Sequence, residues 1–153
     1  MNNGMKLFAA YDDFLLKRRM EFVCPGSTPI GTTWINDHRL VFQGLPNEAT
    51  VNLVPEKGLS VPAGVYEITE AHELLLDDWL GVSVGNRIKT TVNVVLDGET
   101  VPAVIYYNPN PVPLNAPSPQ YWKLIEGGYA DFDLPDEVLF KYLEHSVHNR
   151  AAG

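Results

Sequence analysis

The chain has 153 residues but a single cysteine, four histidines, and only 11 Lys or Arg against 19 Asp or Glu. Each scarcity removes a class of function. A lone Cys24 closes no intrachain disulfide and fits a reducing compartment. With no histidine partner near it in sequence, it reads as a small buried hydrophobe rather than a nucleophile. His38, His72, His145 and His148 do not assemble metal-ligand spacing: the last two share a helix face near the tail, but no third ligand accompanies them. A Gly-rich nucleotide loop, a GxSxG elbow and zinc spacing are all missing, so no metal and no cofactor is expected. The net charge of -8 argues against nucleic acid and anionic membrane, because phosphates demand clustered cations. Apolar runs such as Leu74 to Leu76 fall far short of a membrane span, and Met1-Asn2-Asn3-Gly4-Met5 is not a signal peptide. A cytoplasmic location is expected.

The chain does have 45% apolar residues, enough at this length for one self-sufficient core. The expectation is one domain over 6–147 with flexible termini at 1–5 and 148–153. Residues 6–11 read as a buried strand, and Asp12 as the cap of a short helix through Lys17 to Met20. Trp34 to Phe42 reads as two strand pieces about an Asn36-Asp37 turn, followed by strands at Ala49 to Val54 and Val61 to Ile68. Thr69 or Glu70 opens a helix to Leu80, ended by Gly81. Arg87–Leu96 and Glu99–Tyr107 flank Asp97-Gly98, a pair suited to the positive dihedrals of a type I′ hairpin. Five prolines between Pro109 and Pro119 predict an extended loop outside the sheet, packed over one mouth of a barrel. Ser118 caps a helix beginning at Pro119 and stopped by Gly127-Gly128, and Pro135 opens a last helix to about His145.

Several motifs occur in a fixed order. Leu76-Asp77-Asp78-Trp79-Leu80-Gly81-Val82 is similar to "LDxxEG", and Phe8 to Phe14 keeps the frame of "FAYGSNL". The Arg18/Arg19 region with Cys24-Pro25 and Pro29-Ile30-Gly31 is similar to "R…P…G.A.L". Arg39 to Phe42, Ala49 to Pro55 and Val61 to Ile68 are similar to "L.F", "A.I.P" and "V.GVLYEI". Pro117-Ser118-Pro119-Gln120-Tyr121, with Lys123, Ile125, Gly127 and Leu134-Pro135, matches "PSPQY.K.I..G…LP" most specifically. In these residues the chain resembles the γ-glutamylcyclotransferase family, also called AIG2-like. The resemblance implies an α+β fold: a closed or nearly closed mixed β-barrel with two or three flanking helices.

In that family the α-amine of a γ-glutamyl group attacks its own γ-carbonyl, 5-oxoproline forms and an amine leaves. The protein must hold the amine against the carbonyl, move a proton and stabilise the oxyanion. The glutamate of "LDxxEG" does the proton work, and the glycine-containing turn after the first strand offers backbone N–H groups to the substrate carboxylate. By the resemblance Leu80 stands at the glutamate position, where an isobutyl group has no proton to give. Ala10, Tyr11, Asp12 and Asp13 stand at the turn, Arg87 where many members have a tyrosine, and Tyr121 alone remains of the polar set. Two acids in the turn oppose an anion by about 1–4 kcal/mol each at about 4 Å. The expected cavity is therefore lined by Ala10, Tyr11, Asp12, Asp13, Leu80, Arg87 and Tyr121, without a catalytic residue. It would bind an amino-acid-like small molecule, or the protein would engage a protein partner through the cavity or the proline loop. The alternative is an active cyclotransferase or γ-glutamylamine cyclotransferase in which Asp12 or Asp13 supplies a displaced acid. Tyr121 is equally well read as a structural hydroxyl bound to backbone.

Overall fold

The computed structural model describes residues 5–110 and 112–149. Of the termini expected to be flexible, 1–4 and 150–153 lie outside the described residues, as does Pro111 of the proline loop. In chain order the elements are β1 (Lys6–Ala10), a 3₁₀ turn (Asp13–Leu15), α1 (Lys17–Val23), β2 (Thr28–Gln43) and β3 (Thr50–Ile68). There follow α2 (Glu70–Trp79), a second 3₁₀ turn (Val82–Val84), β4 (Ile88–Leu96), β5 (Glu99–Tyr107), α3 (Pro119–Asp131) and α4 (Asp136–His148). The strands form one sheet in the order β2-β3-β1-β5-β4, antiparallel throughout except for the parallel β1–β5 pair.

The α+β class agrees with expectation, but the sheet is not a closed barrel, and there are four α-helices among the described residues rather than two or three. The edge strands β2 and β4 come close to one another without pairing. There the Thr33 hydroxyl donates to the Val95 carbonyl at 2.6 Å, and a Cβ on Gly31 would lie 3.1 Å from Leu96 Cδ1. Side chains bridge that seam, with no ladder of backbone bonds across it.

Three expected breaks are continuous structure. The Asn36-Asp37 turn is an irregularity within β2 rather than a break: Asn36 pairs with Ser60 and His38 with Pro55, so the extra residues, 56–59, stand on β3 opposite Asp37, which takes φ 60°. Its carboxylate accepts the Gly58 N–H at 3.0 Å, so the irregularity is pinned from the neighbouring strand. The two strands expected at 49–54 and 61–68 are accordingly one strand, β3. Gly127-Gly128 does not stop α3, which runs on to Asp131. The glycines instead permit close packing on the first 3₁₀ turn, since a Cβ at Gly128 would meet Leu15 Cβ at 2.4 Å and one at Gly127 would meet Leu16 Cδ2 at 2.9 Å.

The Asp97-Gly98 hairpin forms with φ 51° and 81°, both positive as a type I′ turn requires. Part of the proline segment does pair with the sheet, through one bridge between Leu114 and Gln43. Gly44 N–H donates to Pro113 O at 2.8 Å and Asn115 N–H to Phe42 O at 3.0 Å, which fastens the loop beside the β2–β3 connection. α4 lies against β2, with Ser146 Oγ accepting from Phe42 N–H at 2.9 Å.

Candidate functional site

A cleft of about 300 Å³ opens at the end of the sheet where β1 finishes and β4 begins. The residues after β1 supply Asp12 and Asp13. Asp12 Oδ1 accepts the Phe14 N–H at 3.0 Å and so caps the first 3₁₀ turn. α2 supplies Trp79 and Leu80 from its last turn, where Gly81 at φ 70° reverses the chain. Arg87 arrives from the start of β4 and Tyr121 from the first turn of α3, which Ser118 caps at 3.1 Å. Thr50 and Val51 at the head of β3 complete that wall.

Five of the seven residues expected to line a cavity thus meet at this cleft. Ala10 and Tyr11 do not line it. Both are buried, and the Tyr11 hydroxyl donates to the Tyr106 carbonyl at 2.6 Å beneath the cleft floor. Leu80 touches both spaces, lining the cleft and a small hollow that it shares with Ala10, Tyr11, Asp12 and Tyr106. Tyr121 has its structural role: its hydroxyl accepts the Val51 N–H at 3.1 Å.

Burial raises the Asp12 carboxyl to about 7, and the neighbouring Asp13 carboxylate adds to the rise while Arg87 opposes it. Asp13 is raised too, by burial first, with Arg19 pulling the other way. Arg19 Nε lies 3.0 Å from Asp13 Oδ2 but does not aim its hydrogen there, so the contact is ionic rather than a formed hydrogen bond. Burial also lifts the Tyr121 hydroxyl well above its ordinary value. At neutral pH the cleft therefore holds a neutral tyrosine and an Asp12 whose carboxyl is held well above the ordinary carboxylate range.

The orientation of α2, and with it the position of Trp79 and Leu80, depends on a network that sequence reasoning missed. Glu73, only 6% exposed, pairs with Lys6 of β1 at 2.9 Å and Lys89 of β4 at 3.0 Å. Lys89 also reaches Asp77 at 2.7 Å, and Asp77 accepts from the Tyr106 hydroxyl of β5 at 2.7 Å. Burial pushes the Glu73 carboxyl up, but hydrogen bonds from Lys6 and Lys89 outweigh it and hold it below the usual value. The visible signal was the four-residue spacing of Glu73 and Asp77, which places two acids on one helix face. Cys24 is buried, and burial pushes its thiol up to about 11, as suits an unreactive core residue. His72 is occupied structurally: it completes the capping box with Thr69 and contacts Pro25 O at 2.7 Å.

No family model and no curated protein sequence matches the chain. Solved structures do. A γ-glutamyl cyclotransferase superposes with TM-score 0.80 at 24% identity, over 90% of this chain and 86% of that one. The uncharacterised protein loc79017 from Homo sapiens gives 0.80 at 24%, over 92% and 87%. A glutathione-specific γ-glutamyl cyclotransferase from yeast gives 0.60 at 11%, over 97% and 99%. Among the described residues no helix is long and apolar enough to cross a membrane. The chain has the γ-glutamyl cyclotransferase fold.

Proposed function

We propose that this protein is a γ-glutamyl cyclotransferase relative that has lost the cyclotransferase reaction and uses the cleft to hold a small amino-acid-like ligand. The observation that carries this reading is Leu80, which stands at the family's glutamate position in the motif alignment and presents an isobutyl group to the cleft. A ring closure needs a base for the attacking ammonium and an acid for the leaving amine, and nothing at that position exchanges a proton. Asp12 and Asp13 line the same cleft, and by the motif resemblance they stand in the turn that would receive a substrate carboxylate, where acids oppose an anion. The proline-rich loop is bonded down along the β2–β3 connection, which favours the cleft over the loop as the interacting surface.

One observation favours a second reading. Asp12 is raised to about 7, the range in which a carboxyl serves as general acid and base at neutral pH, so an active cyclotransferase would use Asp12 from the turn after β1. Incubation with γ-glutamyl dipeptides, γ-glutamylamines and glutathione, with detection of 5-oxoproline, separates the two. The first reading predicts no product. Product that disappears in Asp12→Asn establishes the second.

A further inference from the structure

Asp12 and Arg87 face the same cleft and feel each other's charge, yet neither is in an ion pair among the described residues. Asp13, by contrast, has Arg19 beside it. The Asp12 carboxyl accepts one hydrogen bond, from Phe14 N–H, and Arg87 donates through Nη1 to the Asn86 carbonyl at 2.9 Å. Acceptor capacity on the one and most of a five-donor fork on the other are left over. Opposite charges held apart and partly desolvated are costly to a folded chain, and one ligand carrying both complementary charges satisfies them together. A second feature adjoins them. Trp79 lines the cleft and is 51% exposed, and Phe22, 75% exposed, meets it edge to face with ring centroids 6.3 Å apart. Two exposed aromatics in contact at the rim of a polar cleft offer apolar surface to whatever the cleft holds.

We propose that the cleft takes a free α-amino acid with an apolar side chain, its ammonium against Asp12, its carboxylate on the Arg87 fork and its side chain along Trp79. This rests on the reading that the cleft binds an amino-acid-like ligand without converting it. It also reverses the head group relative to the glycine-turn arrangement, in which the turn after the first strand receives the carboxylate. Here that turn carries Asp12 and Asp13, and the cation, Arg87, lines the same cleft from just before β4. A volume of about 300 Å³ is at the small end of ligand sites, suited to a single amino acid.

Isothermal titration of the full chain with L-phenylalanine, phenethylamine and phenylpropionate tests this. The zwitterion should bind roughly tenfold or more tighter than either single-charge analogue, as the loss of one charge-assisted contact implies. In Asp12→Asn the advantage of phenylalanine over phenylpropionate should collapse, in Arg87→Gln its advantage over phenethylamine should collapse, and Trp79→Ala should weaken all three. Binding of either analogue as tightly as phenylalanine by the unaltered chain, or of none of the three, overturns the proposal without needing any variant to fold. The underlying reading fails separately: 5-oxoproline from γ-glutamyl compounds sinks it whatever the amino acids do.

Discussion

Asp12 has two roles that pH pulls apart. Its oxygen caps the first 3₁₀ turn, while its charge is opposed first by burial and then by Asp13, so its folded pKa of about 7 lies above the ordinary 3.8. Between those values the folded chain binds more protons than the unfolded one. The stability this group contributes is present at acid pH and is lost as pH rises from about 4 to about 7. Asparagine keeps the capping oxygen and drops the charge. Asp12→Asn should therefore raise Tm more at about pH 8 than at about pH 4.5, and an equal or opposite difference in thermal melts would contradict the burial argument. Leu80→Glu brings a third carboxyl beside Asp12, with which Leu80 shares a small hollow. That substitution should lower Tm at neutral pH and fail to produce 5-oxoproline. Turnover gained from this single change would mean the turn after β1 still accepts a substrate carboxylate. Residue chemistry at the cleft was legible where elements end, as at Asp12, Leu80 and Tyr121. It was not legible at Ala10 and Tyr11, because β1 lies between β3 and β5 and its Phe8, Ala9 and Ala10 are all buried, so alternation carries no inward or outward label.

Elements hold the cleft in shape through two contacts that mutation can test. α3 reaches the first 3₁₀ turn only because Gly128 lacks a Cβ; Gly128→Ala should cost about 1–3 kcal/mol, or more if Leu15 cannot shift, in denaturant unfolding. No loss of stability would show that the helix and turn are not in contact as described. The Glu73–Lys89–Asp77 network fastens α2 to β4, and Lys89→Met leaves Glu73 with Lys6 alone and Asp77 with the Tyr106 hydroxyl. A loss of about 1–3 kcal/mol is expected, readable as a lower denaturation midpoint with unchanged slope. The β4–β5 hairpin was legible because Asp97-Gly98 is a local signal that needs no tertiary context. The continuations of β2 through Asp37 and of α3 through two glycines were not, since each is decided by a partner remote in sequence: Gly58 for the strand, Leu15 for the helix.

At the scale of the whole molecule, the sheet fold was legible from motif order, since the segments resembling the family's strands and helices recur along the chain in the right sequence. Closure was not, because it depends on whether β2 and β4 exchange backbone bonds: they lie close, as at Thr33–Val95 and Gly31–Leu96, but do not pair. The fold brings Asp12 and Arg87, neither in an ion pair among the described residues, together with the exposed Trp79 to a single opening, and sets Leu80 beside them. Catalysis and binding differ here by whether any proton can be moved. A single-turnover experiment reads that difference directly: protein in excess over a γ-glutamyl dipeptide at neutral pH, with the mixture analysed for 5-oxoproline over hours. The dipeptide should be recovered intact; 5-oxoproline approaching one equivalent of the dipeptide, absent when Asp12→Asn is used, would contradict the account.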